Sequence, residues 1–234
     1  MSFEHQTVMV TGAAGNLGQA VAAAFASQGA RLVLLDRQLD SLQGAYGEEG
    51  QSRLFLAADL LDGSQVSAAL AAAVERFGRV DVLCNLAGGF RMGEAVHETA
   101  DSTWDFLMDI NARTLLKTSR ALVPHMLKNG AGKIVNVAAY ASQKGAAQMG
   151  AYCASKSSVI RLTEAMAAEL RSKNINVNCV LPSIIDTPEN RAAMPAADPL
   201  TWVAPQDLAR VIVFLASSAA RAMHGAALPV TGLS

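Results

Sequence analysis

The sequence predicts an α/β fold in one domain, a parallel sheet of about seven strands doubly wound by helices on both faces. Three observations predict it. Short β-branched runs alternate with longer alanine-rich stretches along the chain. Several of the runs are apolar almost throughout, as strands covered on both faces must be. The alanine-rich stretches repeat their apolar residues at helical spacing. With 234 residues, 51% of them hydrophobic and 17% charged, the chain is long enough for one large core. No linker, tandem repeat or low-complexity tract divides it, so residues 1–234 are expected to form a single domain.

The expected strands are QTVMVT (6–11), RLVLLD (31–36), RLFLA (53–57), RVDVLCN (79–85), GKIVNVA (132–138), INVNCVL (175–181) and AALPV (226–230). Between the first two, NLGQAVAAAFASQG should be a helix ended by Gly29; after the third, SQVSAALAAAVERFG should be one ended by Gly78. One stretch, 183–204, is irregular and holds Pro188, Pro195 and Pro199. It is too long for a tight connection, so a substrate loop or lid is expected, the alternative being a plain surface excursion. Arg191, Asn190 and Trp202 are its candidate substrate contacts; solvated loop polars with one packing tryptophan are the other reading.

Composition excludes several functions. A net charge of −1 gives no basic face for nucleic acid and no polybasic membrane patch, so neither partner is expected. No apolar run approaches the length that spans a bilayer. Cys84, Cys153 and Cys179 are odd in number and form no CxxC pair, which suits buried reduced thiols. The four histidines have no ligand spacing and no carboxylate cluster joins them, so no metal is expected. There is no GxSxG nucleophile elbow. The start, MSFEHQTVMVTG, enters a strand without a charged-then-apolar leader, and a cytoplasmic location is expected.

The cofactor signals lie at strand ends. TGAAGNLG (11–18) follows the first strand and opens a helix. Gly12, Gly15 and Gly18 there would let the backbone approach a pyrophosphate, with Asn16 and Leu17 at the helix N-terminus that receives its charge. Any tight strand-to-helix turn can use glycine, but a strand before and a helix after, close to the N-terminus, are the context that a Rossmann glycine turn requires. The second strand ends in Asp36, whose carboxylate would accept from both adenosine ribose hydroxyls and repel a 2′-phosphate, favouring NAD over NADP. Arg37 follows and would partly offset that repulsion. Asp59 and Leu60 end the third strand near where adenine would lie. Asn85, Ala87 and Gly88, in CNLAGG, would approach the ribose and pyrophosphate. Turn formation alone also favours Asp, Asn and Gly at such places.

The ordered set TGAAGNLG, NLAG (85–88), Asn111, Tyr152-x-x-x-Lys156 and LPSIIDT (181–187) resembles the short-chain dehydrogenases/reductases over essentially the whole chain. The resemblance implies hydride transfer between a nicotinamide and a small-molecule carbonyl or related acceptor, by a homo-oligomer (dimer or tetramer) assembled through the Asn111 and Tyr152 helices. Tyr152 would be the acid/base. A lysine one turn away stabilises a phenolate, lowering a pKa that is ordinarily about 10. Lys156 would also hold the nicotinamide ribose, and Asn111 a water for proton relay. Pro182, Ile185 and Thr187 match the segment around the nicotinamide carboxamide.

Four departures stand out. Asn16 takes the place of a middle glycine, Ser183 follows Pro182 where glycine is usual, and ALPVTGLS lacks an acidic Gly-Gly ending. The fourth is catalytic: thirteen residues before Tyr152, at the family's serine, stands Ala139. Ser142 or Tyr140 could supply the hydroxyl; the site could be inactive; or the substrate needs no such hydroxyl. DTPENRAAMPAAD in the 181–202 segment is similar to dihydropteridine reductases, members that prefer NADH and lack the serine. Reduction of a heterocycle and a non-catalytic NAD-binding regulator are the alternative functions. Met149 and Met194 are candidates to line an apolar pocket.

Overall fold

Strand formation follows from where each side chain is buried. In β1 (Thr7–Thr11), Val8 and Val10 enter one core and Met9 the other. In β2 (Arg31–Asp36), Leu32 and Leu34 join the first core, and Val33 and Leu35 the second. A period-two strand with apolar residues at every position is stable only between two layers of helices. The computed structural model, which describes residues 2–234, has that form.

The remaining strands are β3 (Arg53–Ala57), β4 (Val82–Asn85), β5 (Gly132–Val137), β6 (Ile175–Pro182) and β7 (Ala227–Val230). They complete a seven-stranded sheet in the order β3-β2-β1-β4-β5-β6-β7, parallel at every pairing. The helices are α1 (Asn16–Ala26), α2 (Leu39–Tyr46), α3 (Gly63–Phe77), α4 (Asp101–Met108), α5 (Thr114–Asn129), α6 (Gly150–Leu170), α7 (Pro188–Ala193) and α8 (Pro205–Ala216). Val21 and Phe25 of α1, Leu42 of α2 and Leu208 and Ile212 of α8 close one face. Phe77 of α3, Leu122 and Met126 of α5 and Leu170 of α6 close the other. The chain crosses from one half of the sheet to the other between β1 and β4, and such a crossing leaves a crevice at the carboxyl ends of the strands.

The expected strands agree within one residue at each end, except the fourth, which starts at Val82 rather than at residue 79. Before it, the Asp81 backbone bonds to Thr7 and Lys133 on either side, while its side chain accepts from the Thr7 N–H at 2.8 Å and pairs with Arg79. Gly29 and Gly78 both have φ of 83° and end their helices as expected. The stretch 183–204 is ordered: it contains α7 and a short turn, Pro199–Thr201, a parallel bridge joins Ile185 to Val203 at its base, and Ser183 and Thr201 bond to the C-terminal segment. All three cysteines are buried and free. Among the described residues no helix is long and apolar enough to cross a membrane, and none of the His, Cys, Asp and Glu residues group to hold a metal.

Candidate active site

A cleft of 730 Å³ opens at the carboxyl ends of β1 to β4. Its floor is the glycine turn. Gly12 has φ of 63°, and a Cβ there would lie 3.0 Å from the backbone of Ala87. A Cβ on Gly18 would lie 2.6 Å from the Ala13 carbonyl oxygen, so α1 can pack on the turn only without a side chain at that position. No side chain caps α1, and no acid sits in its first turn. The N–H groups of that turn are therefore left for a ligand at the cleft floor, where the helix dipole favours an anion.

Gly12, Gly15, Asn16, Leu17 and Gly18 all line this cleft. So do Asp36 and Arg37, Asp59 and Leu60, Ala87 and Gly88, and Thr187 from the base of α7. Asp36 is fixed in place: one carboxylate oxygen accepts from the Ala14 N–H at 3.0 Å and the other from the Arg37 N–H at 2.8 Å. Asp59 accepts from the Leu61 N–H at 2.9 Å.

Three expected contacts lie elsewhere. Asn85 is buried below the cleft, donating to Asn136 Oδ1 at 2.9 Å and accepting from Thr118 Oγ1 at 2.8 Å. Its side chain ties β4 to β5 and α5, because a buried amide must satisfy its polar atoms within the protein. Pro182 is buried as the last residue of β6, and Ile185 is held in the bridge to Val203; neither lines the cleft. A wider groove of 1060 Å³ runs on the outside of α1, lined by Gln19, Ala23, Tyr46 and Arg210. It is an open trough, away from the glycine turn's cleft side.

The reacting groups gather beside the cleft. Tyr152 lies in the first turn of α6 and Lys156 one turn on. Lys156 is buried and its ammonium donates to the Val137 carbonyl at 2.9 Å. Gly88 lies against both Lys156 and Asn111: a Cβ there would stand 3.0 Å from Lys156 Nζ and from Asn111 Oδ1. Asn111 sits in a π turn, Asp109–Arg113, inserted between α4 and α5. Such a turn re-aims a helical side chain and is frequent at functional sites. The Asn111 oxygen accepts from the Gly89 N–H at 2.9 Å, and its amide donates to the Gly89 carbonyl and to Ser155 Oγ, both at 3.0 Å. Ser155 donates in turn to the Tyr152 carbonyl at 2.8 Å. Both amide protons are thus committed to bracing the Gly88–Gly89 strap against α6.

Burial sets the electrostatics. The Tyr152 phenol is pushed up to about 12, chiefly by desolvation and then by Cys153. The Lys156 ammonium is pulled down to about 8 by desolvation. The expected lowering of the phenol by the lysine does not prevail here, because Lys156 is turned to the Val137 carbonyl and burial dominates. At pH 7 the phenol is neutral and the lysine still charged.

Ala139 is buried, with extended backbone, at the entrance to a short turn, Tyr140–Gln143. Ser142 does not replace the missing hydroxyl. It is 4% exposed, and its Oγ donates back to the Ala139 carbonyl. Tyr140 is 46% exposed.

The substrate side differs from expectation. A second cavity, of 180 Å³, adjoins Tyr152 and is lined by Arg91, Met92, Gln148 and Met149. Phe90 meets the Tyr152 ring edge-on, centroids 4.8 Å apart. Met149 lines this cavity as expected; Met194 does not. Trp202 is 6% exposed and serves as packing, not as a substrate contact. Arg191 makes two bonds to Asp186, at 2.6 and 2.7 Å, and Asn190 donates to the Ile185 carbonyl at 2.8 Å, so both build the lid itself. The lid is joined to the cofactor turn: Asn16 donates to Glu189 of α7 at 2.9 Å. Sequence reasoning missed Ser155, Phe90, Arg91 and Gln148. Only Ser155 carried a signal, a hydroxyl three residues after Tyr152 on the same helix; the others lie in aperiodic loops.

Comparison with known proteins agrees with this geometry. The family model described as short chain dehydrogenase matches residues 6–197. A D-threitol dehydrogenase of Mycolicibacterium smegmatis is 34% identical over 97% of this chain and 92% of its own. A 3-ketoacyl-(acyl-carrier-protein) reductase from Brucella melitensis, solved in complex with NADH, superposes with a TM-score of 0.88 at 31% identity, over 99% of this chain and 98% of its own. An NAD+-bound xylitol dehydrogenase superposes with a TM-score of 0.90 at 26% identity, over 99% of this chain and 100% of its own. The names of these relatives favour dehydrogenase chemistry over heterocycle reduction or a cofactor-binding regulator. The chain belongs to the short-chain dehydrogenase family and is an oxidoreductase.

Proposed function

We propose that this enzyme transfers a hydride between NAD(H) and the carbonyl or carbinol carbon of a small molecule, with Tyr152 moving the proton. One observation carries the reading: Tyr152 and buried Lys156 stand one turn apart on α6, and Lys156 Nζ lies against Gly88, a lining residue of the glycine-floored cleft. The residues fit a dinucleotide. Gly12 and Gly18 leave no room for a side chain where a pyrophosphate would approach, and the uncapped α1 would take its charge. Asp36 would hold the adenosine ribose, Asp59 and Leu60 would border adenine, and Lys156 and Thr187 would hold the nicotinamide end. When bound, the nicotinamide supplies or accepts the hydride.

In the reducing direction Tyr152 Oη gives its proton to the carbonyl oxygen as the carbon–oxygen double bond becomes a C–H and an O–H. A neutral phenol is the form this step consumes. Lys156 stabilises the phenolate as it develops, in a buried site where its charge acts strongly. Asn111 and Ser155 position the strap and the helix; they act through Gly89 and the Tyr152 backbone. With alanine at 139, the orientation of the substrate falls to groups on the far side of Tyr152.

Asp36 makes NAD the preferred cofactor, and the NADH and NAD+ complexes of the two solved relatives support that preference. The reading includes a homo-oligomer, dimer or tetramer, supported by exposed Trp104, Leu116 and Leu127 on α4 and α5, and a cytoplasmic location, supported by three free cysteines. It also includes one domain spanning 1–234 with 183–204 as its lid. Fluorescence titration tests the cofactor. NADH should bind at least about tenfold more tightly than NADPH, and Asp36→Ala should bring the ratio close to one. Tighter binding of NADPH by the parent protein contradicts the assignment.

A further inference from the structure

Arg91 occupies a place that the cofactor reading does not use. It lies two residues beyond the Gly89 strap, and its guanidinium stacks on the Phe106 ring, 3.8 Å from the centroid. Phe106 lines the cofactor cleft, and Arg91 lines the 180 Å³ cavity together with Tyr152, so the cation sits where the two spaces meet. Among the described residues it has no ion-pair partner. One acid, Glu94, lines the same cavity, and its carboxylate is engaged at the start of α4, accepting from the Ala100 N–H at 3.1 Å and from Thr103 Oγ1 at 3.3 Å.

The opposite wall offers a second unengaged polar group. Gln148 has φ of 60°, a left-handed conformation that costs energy for a residue with a side chain. Its carbonyl accepts from the Gly93 N–H at 2.9 Å, and that bond ties the Arg91 loop to the segment preceding Tyr152. The Gln148 amide makes no hydrogen bond among the described residues and lines the cavity with Arg91. The cavity is thus small and bounded by Met92 and Met149, with a planar five-donor cation and an amide beside the proton-transferring phenol.

We propose that Arg91, aided by Gln148, is the anion receptor of this site, and that it selects small hydroxy or oxo compounds bearing a carboxylate or phosphate near the reacting carbon. The assignment rests on the hydride-transfer reading and answers the question left by Ala139. Holding the substrate by its anionic end orients the reacting oxygen toward Tyr152 without a serine. The guanidinium fork suits both carboxylate and phosphate.

The test uses the full-length protein with NADH, two ketones that carry an anion and their neutral counterparts. These are 4-oxopentanoate against its methyl ester, and dihydroxyacetone phosphate against dihydroxyacetone. The parent should favour at least one anionic member over its counterpart by about 10- to 100-fold in kcat/KM, mostly through KM. Which pair shows the preference tells carboxylate from phosphate. Arg91→Gln should remove most of that preference, Arg91→Lys should retain part of it, and Gln148→Ala should weaken it less than Arg91→Gln. Binding is read separately, from the change in NADH fluorescence as each compound is added. An anion response in the parent that is lost in Arg91→Gln, with no turnover, keeps the anion site and refutes hydride transfer to these compounds. A parent that favours neither anion by either readout, or an Arg91→Gln variant that loses acid and ester equally, overturns the proposal.

Discussion

The cofactor cleft and the smaller cavity that Tyr152 lines are built on opposite principles. The larger is floored by backbone: glycine turns, the open end of α1 and a strap at Gly88–Gly89, with the Asp36 carboxylate pinned by two backbone N–H groups. The smaller is walled by side chains from two loops, Arg91 and Met92 on one and Gln148 and Met149 on the other. Backbone recognition demands close approach, which leaves little freedom in sequence. Side-chain recognition leaves the loop free to vary, so each enzyme on this scaffold can choose its own substrate.

The sharpest way to break the comparison is to put one methyl group on the backbone side. Gly18→Ala places a Cβ against the Ala13 carbonyl. It should lower stability by about 1–3 kcal/mol and weaken NADH at least about tenfold. Calorimetry and NADH titration read both. Unchanged NADH affinity would show that the glycine turn is not the floor of the cofactor site.

A smaller effect tests a place where the cofactor turn uses a side chain. Asn16→Ala removes the bond to Glu189 and with it one tie between α7 and the turn. The bond is exposed, so NADH affinity should fall only about two- to fivefold. Titration at low and high salt checks it. No change would mean that the lid is held from its base alone, by the Ile185–Val203 bridge.

The same contrast explains what was legible in the sequence. Strands such as RLVLLD could be placed because burial on two faces forces an unbroken apolar run, and both helix stops could be placed because Gly29 and Gly78 must adopt positive φ. The glycine turn, Asp36 and the Tyr152–Lys156 pair were legible because their spacing is fixed by the strand-to-helix turn and by one helical turn. Asn85 was misassigned because an asparagine at a strand end has the same signature whether it faces the ligand or, as here, ties Asn136 and Thr118. Trp202 and Arg191 were set in the substrate loop, but Trp202 is buried and Arg191 pairs with Asp186 inside the lid, and no periodicity announces either. Nothing in the spacing marked Phe90 or Arg91, whose positions depend on how Gly89 is clamped by Asn111. The π turn that aims Asn111 left no trace in the pattern of DFLMDINARTLLKTSRAL.

The central claim is that Tyr152 moves the proton and Lys156 supports it, and carbonyl reduction measured against pH tests it most directly. The lysine is pulled down to about 8, so its charge is complete well below that pH and is lost above it, while the phenol, at about 12, stays protonated throughout. The rate of hydride transfer from NADH should hold through neutral pH and decline above about 8. Tyr152→Phe should lower it by about 10²- to 10⁴-fold at every pH, with NADH still bound. A Tyr152→Phe variant that keeps the parental rate and its pH dependence would contradict the account.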